Sequence, residues 1–264
     1  MDSITAFKQQ QKSAWSNFAQ FENATATSAP RLVAFAGVTA GTRVLDVACG
    51  TGVVALTAAR LGAHVTGADL TPELVVRARH NAQLMGLSLE VHEADAEALP
   101  FESASFDVVV SQFGHMFAPR PAVVIAEMLR VLRPGGTIAF STWPPELFVG
   151  RMFELLGRYG PPTPSGVAAP SLWGDPHIVR DRLGDDVNDL RFDRASMWLQ
   201  TLSVQHYRAF MESGGPAQRL LAGLDAHDPP RAAMLRADLE ALAAEYFHDN
   251  MIRQDYLLTR AIKR

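Results

Sequence analysis

The chain has 264 residues, of which 48% are hydrophobic and 20% are charged, and its formal net charge is −4. This composition is ordinary for a globular protein, and it lacks the basic excess with which nucleic-acid-binding proteins neutralise phosphates. The single cysteine excludes an internal disulfide and a cysteine-rich zinc site. We therefore expect a cytoplasmic protein with no nucleic-acid partner, no secretion signal, no metal and no stable membrane insertion.

Residues 1–40 are predicted to form an N-terminal helical cover. Apolar residues at roughly helical spacing between Lys8 and Asn23 indicate an amphipathic helix that lies on the body of the domain. A polar segment follows, and a short helix is predicted at about Arg31–Ala36. Trp15 and Phe18 of the first helix either contact a bound ligand or substrate, or only pack the helix onto the domain.

Residues 41–143 alternate between strands and helices. The predicted strands are Arg43–Val47, His64–Ala68, Leu87–His92, Phe106–Gln112 and Thr137–Thr142, and the predicted helices are Gly52–Leu61, Pro72–Met85 and Arg120–Leu132. Strands and helices that alternate with short connections predict a mostly parallel sheet with helices on both faces. Such sheets bind their ligands at the carboxyl ends of the strands, near the point where the strand order reverses.

Beyond this region the pattern becomes irregular. Trp143–Asp185 is rich in proline and glycine around one apolar helix at Phe148–Tyr159, and it is predicted to be a lid insertion. The remaining predicted elements are strands at Asp189–Leu199 and Asp255–Ile262, and helices at Gln205–Leu224 and Pro230–Phe247. We assign the last two strands to the same sheet. The prediction is therefore one α/β domain over residues 1–264, with a doubly wound, mostly parallel, seven-stranded sheet.

The most informative stretch is VLDVACGTG, residues 44–52, at the end of the first predicted strand. A strand that runs into Gly50 and Gly52 and then into a helix brings the backbone close to a ligand and directs helix N–H groups at it. Asp46 adds a carboxylate there, which disfavours a phosphate and favours a cationic ligand. The stretch also satisfies the G-x-G-x-x-A dinucleotide fingerprint, so an NAD(P)-dependent oxidoreductase is an alternative.

Two further acids end the second and third predicted strands. Asp69 can accept hydrogen bonds from both hydroxyls of a ribose, which indicates a nucleoside without identifying it, or it can cap the turn at Leu70. Asp95 can accept from the exocyclic amine of an adenine while the N–H of Ala96 reaches a ring nitrogen, or it is a plain loop residue. Three acidic strand ends in succession favour a ligand that contains adenosine.

Four motifs carry a resemblance to a known family. They are VLDVACGTG, GADLTPELVVRAR, EADAEALPFESASFDVVVS and EMLRVLRPGG, in this order between Arg43 and Trp143. Together they resemble the class I S-adenosylmethionine-dependent methyltransferases, in particular the group that includes ubiquinone and menaquinone biosynthesis enzymes and natural-product methyltransferases. The resemblance implies a Rossmann-like fold, S-adenosylmethionine as the methyl donor, S-adenosylhomocysteine as the product and a small-molecule methyl acceptor.

The resemblance also implies contacts between individual residues and the donor. They are Asp46 for the methionine amino group, Ala48, Gly50 and Gly52 along the methionine moiety, Asp69 and Leu70 for the ribose and adenine, Asp95 and Ala96 for the adenine edge, and Ser111 through its backbone carbonyl. Members of the family often have glycine where this chain has Ala48. A methyl group is small, so we expect cofactor binding to survive this departure.

Candidate residues for the acceptor side follow the fourth and fifth strands. His115 is predicted to be a base or a substrate-orienting group, or else a hydrogen-bonded wall residue. Trp143 is expected in an aromatic wall or in the core, and Tyr207 on a C-terminal helix is a further candidate. Amide and nucleobase methyltransferases have an Asn-Pro-Pro-Tyr type of motif after the fourth strand, with which they hold a planar amide. This chain lacks it, which disfavours a nucleic-acid or protein substrate, and we expect a small, aromatic or heterocyclic acceptor. A non-catalytic S-adenosylmethionine-binding protein is the second alternative, and the protein is expected as a monomer or a homodimer.

Overall fold

An eight-stranded sheet runs through the computed structural model, which describes residues 3–264. In chain order the strands are β1 (Arg43–Val47), β2 (His64–Asp69), β3 (Glu90–Glu93), β4 (Phe106–Gln112), β5 (Leu132–Thr142), β6 (Val187–Gln200), β7 (Phe247–His248) and β8 (Met251–Lys263). The order in the sheet is β3-β2-β1-β4-β5-β8-β6, with β7 paired to β8 alone. Strands β1 to β5 are parallel, and β8 is antiparallel to both β5 and β6.

Helices cover both faces of this sheet. They are α1 (Ser3–Trp15), α2 (Glu22–Ala26), α3 (Ala29–Phe35), α4 (Val53–Ala59), α5 (Pro72–Leu84), α6 (Pro121–Val131), α7 (Phe148–Tyr159), α8 (Pro176–Leu183), α9 (Val204–Glu212), α10 (Gly215–His227) and α11 (Pro229–Ala244). Helix α3 packs with α4 on one face, and α6 packs with α8 on the other. The strand order reverses between β1 and β4, which predicts a ligand crevice at their carboxyl ends.

The core strands form where the sequence is continuously apolar. Val44, Leu45, Val109 and Val110 of β1 and β4 have no exposed surface. A central parallel strand is covered by helices on both faces, so both of its faces must be apolar. Proline at the first helical position begins α5 at Pro72, as helix starts favour.

The predicted count of seven strands is wrong by one. Phe247–His248 forms the additional strand β7, which pairs with Met251 and Ile252 at the start of β8. The chain reverses between them at Asp249 and Asn250, which both have positive φ (49° and 60°). Asparagine and aspartate tolerate this left-handed conformation, so a tight hairpin forms where a helix was predicted to continue to Phe247.

Several helix boundaries also differ from the prediction. The helix predicted at Lys8–Asn23 ends at Trp15, and a 3-10 turn and α2 follow it. The helix predicted at Gln205–Leu224 is divided into α9 and α10 at Gly214. A Cβ on Gly214 would lie 2.6 Å from the carbonyl oxygen of Asn17, so the glycine lets the N-terminal segment approach the break closely. Helix α8 lies within the segment predicted to be irregular.

The two last long strands reach beyond the rest of the sheet. The β5–β8 pairing ends at Thr142 and Leu257, whereas β6 and β8 remain paired as far as Gln200 and Met251. We call this extension, residues 195–200 with residues 251–256, the overhanging ribbon. Because it continues past the carboxyl end of β5, it forms a wall above the edge where the predicted ligand site lies.

Candidate functional site

A cavity of about 760 Å³ lies over the carboxyl ends of β1, β2 and β4. Most of the residues predicted for the site line it: Trp15, Phe18, Asp46, Ala48, Gly50, Asp69, Leu70, Asp95, Ala96, His115, Trp143 and Tyr207. Gly52 and Ser111 do not line it. Gly52 is the residue before α4, and the fully buried Ser111 hydroxyl donates to the Val47 carbonyl at 2.6 Å.

The turn after β1 has a backbone conformation that favours glycine at three positions. Ala48, Gly50 and Gly52 all have positive φ, at 53°, 56° and 85°. This conformation costs a residue with a side chain about 1–2 kcal/mol, so Ala48 is strained. A Cβ on Gly50 would meet no atom within 4 Å, which leaves open space directly above the turn. A Cβ on Gly114 would lie 2.6 Å from both the Cβ and the carbonyl oxygen of Ala48, so the loop after β4 packs directly on this turn.

Asp46 is buried at the end of β1. Its Oδ2 accepts a hydrogen bond from the N–H of Ala55 in α4 at 3.0 Å. Burial raises the pKa of Asp46 to about 8, and the neighbouring Asp69 charge acts in the same direction, although the Ala55 hydrogen bond partly offsets both. A ligand ammonium would favour the ionised form of this carboxyl. The site therefore fits a cationic group.

Asp69 is also buried, at the end of β2. One oxygen accepts from the N–H of Gly50 and the other from the N–H of Thr71, each at 2.8 Å. Asp69 thus caps the turn, which is one of the two roles that the sequence indicated. Because each carboxylate oxygen can accept a second hydrogen bond, both remain able to receive the hydroxyls of a ribose. Burial raises the pKa of Asp69 as well.

Asp95 is joined to the N-terminal helix. Its Oδ1 accepts from the N–H of Glu97 at 2.9 Å, and its Oδ2 pairs with Lys8 Nζ at 2.6 Å. The same ammonium lies 2.5 Å from the fully buried Glu97 carboxylate, which Arg120 also binds. Helix α1 is therefore fastened to the loop that was predicted to bind adenine. Nothing in the sequence marked Lys8 for this contact, because its partners lie almost ninety residues away.

Aromatic rings form one wall on the acceptor side. Trp143 stacks on Phe113 with ring centroids 3.9 Å apart and planes within 12°, and Tyr256 meets Phe113 edge to face at 5.4 Å. Phe113 itself has a positive φ of 58°. A bulky residue in this conformation is strained, and such strain concentrates at functional sites. Trp15 of α1 packs against Phe117 at 4.6 Å on the covering side.

His115 lies in surroundings that disfavour a role as a base. Its side chain is fully buried, with Phe140 and Trp173 each 4.6 Å from the imidazole between ring centroids. Neither ring nitrogen has a hydrogen-bond partner within residues 3–264. Burial lowers the pKa of His115 to about 3, and the charge of Arg182 contributes in the same direction. The imidazole is therefore neutral and a weak proton acceptor, which favours the wall role over proton transfer.

Sequence reasoning missed two amides in the cavity wall. Gln112 Nε2 donates to the Thr25 carbonyl at 2.8 Å, and its buried Oε1 has no partner among the described residues. Gln254, on the overhanging ribbon, hydrogen-bonds through its side chain to Tyr207, whose hydroxyl also lies 3.9 Å from Met152 Sδ. The place of Gln112 at the end of β4 was a signal that could have found it. No sequence signal marked Gln254, because the length of the ribbon was not predicted.

Metal-binding clusters and membrane-spanning helices are both absent from the described part of the chain. No group of three or more His, Cys, Asp or Glu side chains in residues 3–264 is arranged to hold a metal ion. None of the helices in that range combines the length and the apolar character that crossing a bilayer requires.

Comparison with known sequences gives a consistent set of relatives. The methyltransferase-domain family matches residues 45–140. Two uncharacterized proteins of Mycobacterium tuberculosis are each 39% identical to the chain, over 92% and 89% of its length and 89% and 86% of their own. Demethylmenaquinone methyltransferase of Thermus thermophilus is 41% identical over 105 residues, which is 39% of this chain and 48% of that enzyme.

Solved structures share the fold. A Bacillus subtilis protein superposes with a TM-score of 0.61 at 19% identity, over 90% of this chain and 98% of its own. Phosphoethanolamine N-methyltransferase 2 of Haemonchus contortus, solved with S-adenosylhomocysteine, gives a TM-score of 0.62 at 15% identity, over 100% of this chain and 60% of its own.

Proposed function

Because the chain belongs to the class I S-adenosylmethionine-dependent methyltransferases, we propose that it methylates a small, predominantly apolar or aromatic metabolite. One observation carries this proposal. Three carboxylates, Asp46, Asp69 and Asp95, line one end of a cavity whose other end is built from apolar and aromatic side chains. A polar half that favours a cation thus adjoins an apolar half in one cavity.

The carboxylate half supports a specific placement of the donor. We assign the methionine ammonium to Asp46, the ribose hydroxyls to Asp69, and the adenine edge to Asp95 and the N–H of Ala96. The open space above Gly50 leaves room for the methionine moiety. When bound, S-adenosylmethionine supplies a methyl group on a positively charged sulfur, which a nucleophilic atom of the acceptor displaces.

The chain's own contribution is positioning and the exclusion of water. Helix α1 closes one side of the cavity through Lys8, and the overhanging ribbon closes another. Holding two reactants in line is worth up to about 7–11 kcal/mol of the barrier. We assign no proton transfer to His115, and we propose that it shapes the wall beneath the acceptor.

We further propose a single methyltransferase domain over residues 1–264. Residues 41–143 then form the cofactor half, while residues 1–40 and 144–264 supply the cover and the acceptor walls. In this arrangement the lid predicted at residues 143–185 contributes α7 to the cavity. Helices α7 and α9 and the ribbon, which form most of the acceptor wall, lie outside the family match at residues 45–140.

The test is methyl transfer together with donor binding. The purified protein is incubated with methyl-labelled S-adenosylmethionine and a panel of apolar aromatic phenols, amines and thiols, and the products are analysed by mass spectrometry. Transfer to one of them supports the proposal. Tight binding of S-adenosylhomocysteine with no transfer to any acceptor would instead favour the non-catalytic binding protein.

Asp69→Ala gives the residue-level test. It should weaken S-adenosylhomocysteine binding by calorimetry at least about tenfold, since hydrogen bonds to a charged group are worth about 1.5–3 kcal/mol. Glu73→Ala, an exposed acid on α5, is the control and should bind normally. Because Asp69 also caps the turn, Asp69→Asn is measured beside it. Unchanged affinity in a folded Asp69→Ala protein would remove this residue from the site.

A further inference from the structure

The acceptor half of the cavity is lined by hardly any charge. Helices α7 and α9 and the overhanging ribbon give it the side chains of Val149, Met152, Phe153, Met197, Leu199 and Tyr207. Among residues 3–264, the charged side chains that line the cavity are Lys8, Asp46, Asp69, Asp95 and Glu154. The first four belong to the cofactor half. Glu154 pairs with Arg158 at 2.6 Å with both side chains about two-thirds exposed (64% and 66%), so its carboxylate is solvated and compensated.

A charged acceptor would therefore lose its hydration without gaining a counter-ion from the side chains that line this half. Buried charges are tolerated only when they are paired, and the described part of the acceptor half offers no fixed partner of either sign. We infer that the acceptor enters as an uncharged, lipophilic molecule that donates a hydrogen bond to Oε1 of Gln112. This inference rests on the proposed function, because it treats the apolar half as the acceptor site.

Gln112 lies where the two halves meet. It is the last residue of β4, paired in register with Ser141 of β5, and its loop packs on the turn at Ala48. The donation from Nε2 to the Thr25 carbonyl fixes the amide, so the group left free is the carbonyl oxygen. A buried carbonyl without a donor is destabilising, and an O–H or N–H of the acceptor would satisfy it. A carboxylate could not, since it only accepts hydrogen bonds.

The other polar pair of this half is also uncharged. Tyr207 of α9 hydrogen-bonds to Gln254 of the ribbon. Burial raises the pKa of the tyrosine, and this hydrogen bond offsets only part of the effect. The phenol therefore stays protonated near neutral pH. Polar recognition in this half thus uses neutral donors and acceptors, which agrees with a neutral acceptor.

Four naphthalenes of similar shape test the charge preference. They are 2-naphthol, 2-methylnaphthalene, 2-naphthoate and 2-naphthylmethylammonium, each titrated calorimetrically into protein saturated with S-adenosylhomocysteine. Binding of S-adenosylhomocysteine is measured first, so failure there contradicts the proposed function and not this inference. We expect 2-naphthol to bind at least about tenfold more tightly than either ion, because an unpaired buried charge is costly. Equal or tighter binding of either ion overturns the inference.

Gln112→Leu tests the hydrogen bond. It should weaken 2-naphthol binding about fivefold or more while leaving 2-methylnaphthalene binding unchanged, because only the first ligand can donate to Oε1. A merely structural role for Gln112 would weaken both ligands equally, and that result would remove it from recognition.

A matched pair of variants tests whether the lack of charged side chains in the acceptor half causes the preference for uncharged ligands. Leu199→Asp places a carboxylate in the acceptor half on the half-buried edge of the ribbon, and Leu199→Asn is its uncharged counterpart. The aspartate variant should bind 2-naphthylmethylammonium about tenfold more tightly than the asparagine variant, since a partner now compensates the buried cation. Equal affinities of the two folded variants would overturn the inference.

Discussion

At the scale of single residues, Ala48 is the place where the chain departs from its family. Its φ of 53° is one that glycine adopts freely and alanine adopts under strain. The family preference for glycine therefore has a backbone cause, and the chain still forms the turn because Gly50, Gly52 and Gly114 surround it.

Ala48→Gly should raise the melting temperature by about 1–3 °C, because relief of about 1–2 kcal/mol of strain exceeds the added entropy of the unfolded glycine. Differential scanning calorimetry measures this, and S-adenosylhomocysteine affinity should be retained. Ala122→Gly, at an exposed position in helix α6, is the matched control and should lower the melting temperature. A lower melting temperature for Ala48→Gly would show that the turn is not strained.

Asp46 gives the site a pH dependence of known sign. Its raised pKa, about 8 against an ordinary 3.8, means that between these values the folded protein holds a proton that the unfolded chain has lost. The free protein therefore loses stability as the pH rises through this range. A ligand ammonium favours the ionised carboxylate, so binding below pH 8 releases the proton.

The affinity for S-adenosylhomocysteine should consequently rise between about pH 6 and pH 8 and level off above, by at most tenfold per pH unit for one proton. Calorimetry in buffers of different ionisation enthalpy would detect the released proton directly. Asp46→Asn should flatten the pH profile. An equally steep profile in that variant would assign the titration to another group.

At the scale of elements, helix α1 is held over the cofactor half by a small set of ion pairs. Lys8 bridges Asp95 and the buried Glu97, whereas Lys12 pairs with the half-exposed Glu93 one turn further along. Exposed pairs contribute little, whereas removing one partner of a buried carboxylate leaves its charge less compensated and is destabilising. We therefore expect Lys8 to contribute more than Lys12 to holding the helix in place.

Lys8→Met should increase the dissociation rate of S-adenosylhomocysteine severalfold and speed hydrogen exchange in α1, because local opening of the helix costs less. Lys12→Met, the more exposed control, should change both far less. Stopped-flow displacement and hydrogen-exchange mass spectrometry measure the two effects. If the two variants behave alike, Lys8 is not what fastens the helix.

The elements differ in how well the sequence predicted them. Strands β1 and β4 were predicted to the residue, because both are apolar runs bounded by turn residues and buried on both faces. The break at Gly214 and the hairpin at β7 were missed. The break at Gly214 depends on the close approach of the distant Asn17, which local periodicity does not contain. The hairpin is local, but its signal lies in the left-handed turn residues Asp249 and Asn250 and not in the helical periodicity that predicted the preceding helix.

At the scale of the whole molecule, the cavity joins a locally encoded half to one assembled from distant segments. The three acids of the cofactor half lie within fifty residues of one another, at successive strand ends, and the sequence alone could place them together. The acceptor half combines α7, α9 and the ribbon, and the two strands of the ribbon are separated along the chain by α9, α10 and α11. Gln112 and Gln254 therefore became recognisable only in the fold.

The two halves act together in the response of the whole protein to its ligand. A ligand that binds only the folded state stabilises it by about 2.7 kcal/mol at one hundred times its dissociation constant, which for a chain of this size raises the melting temperature by about 5–10 °C. We expect this shift with S-adenosylhomocysteine. We expect none with NAD, because its pyrophosphate at the glycine-rich turn would bring negative charge towards Asp46 and no cation that favours the ionised carboxylate. Thermal unfolding with each ligand distinguishes the two functions. Stabilisation by NAD alone would favour an oxidoreductase, because the glycine-rich turn would then bind a dinucleotide and the carboxylates would have no cation to bind.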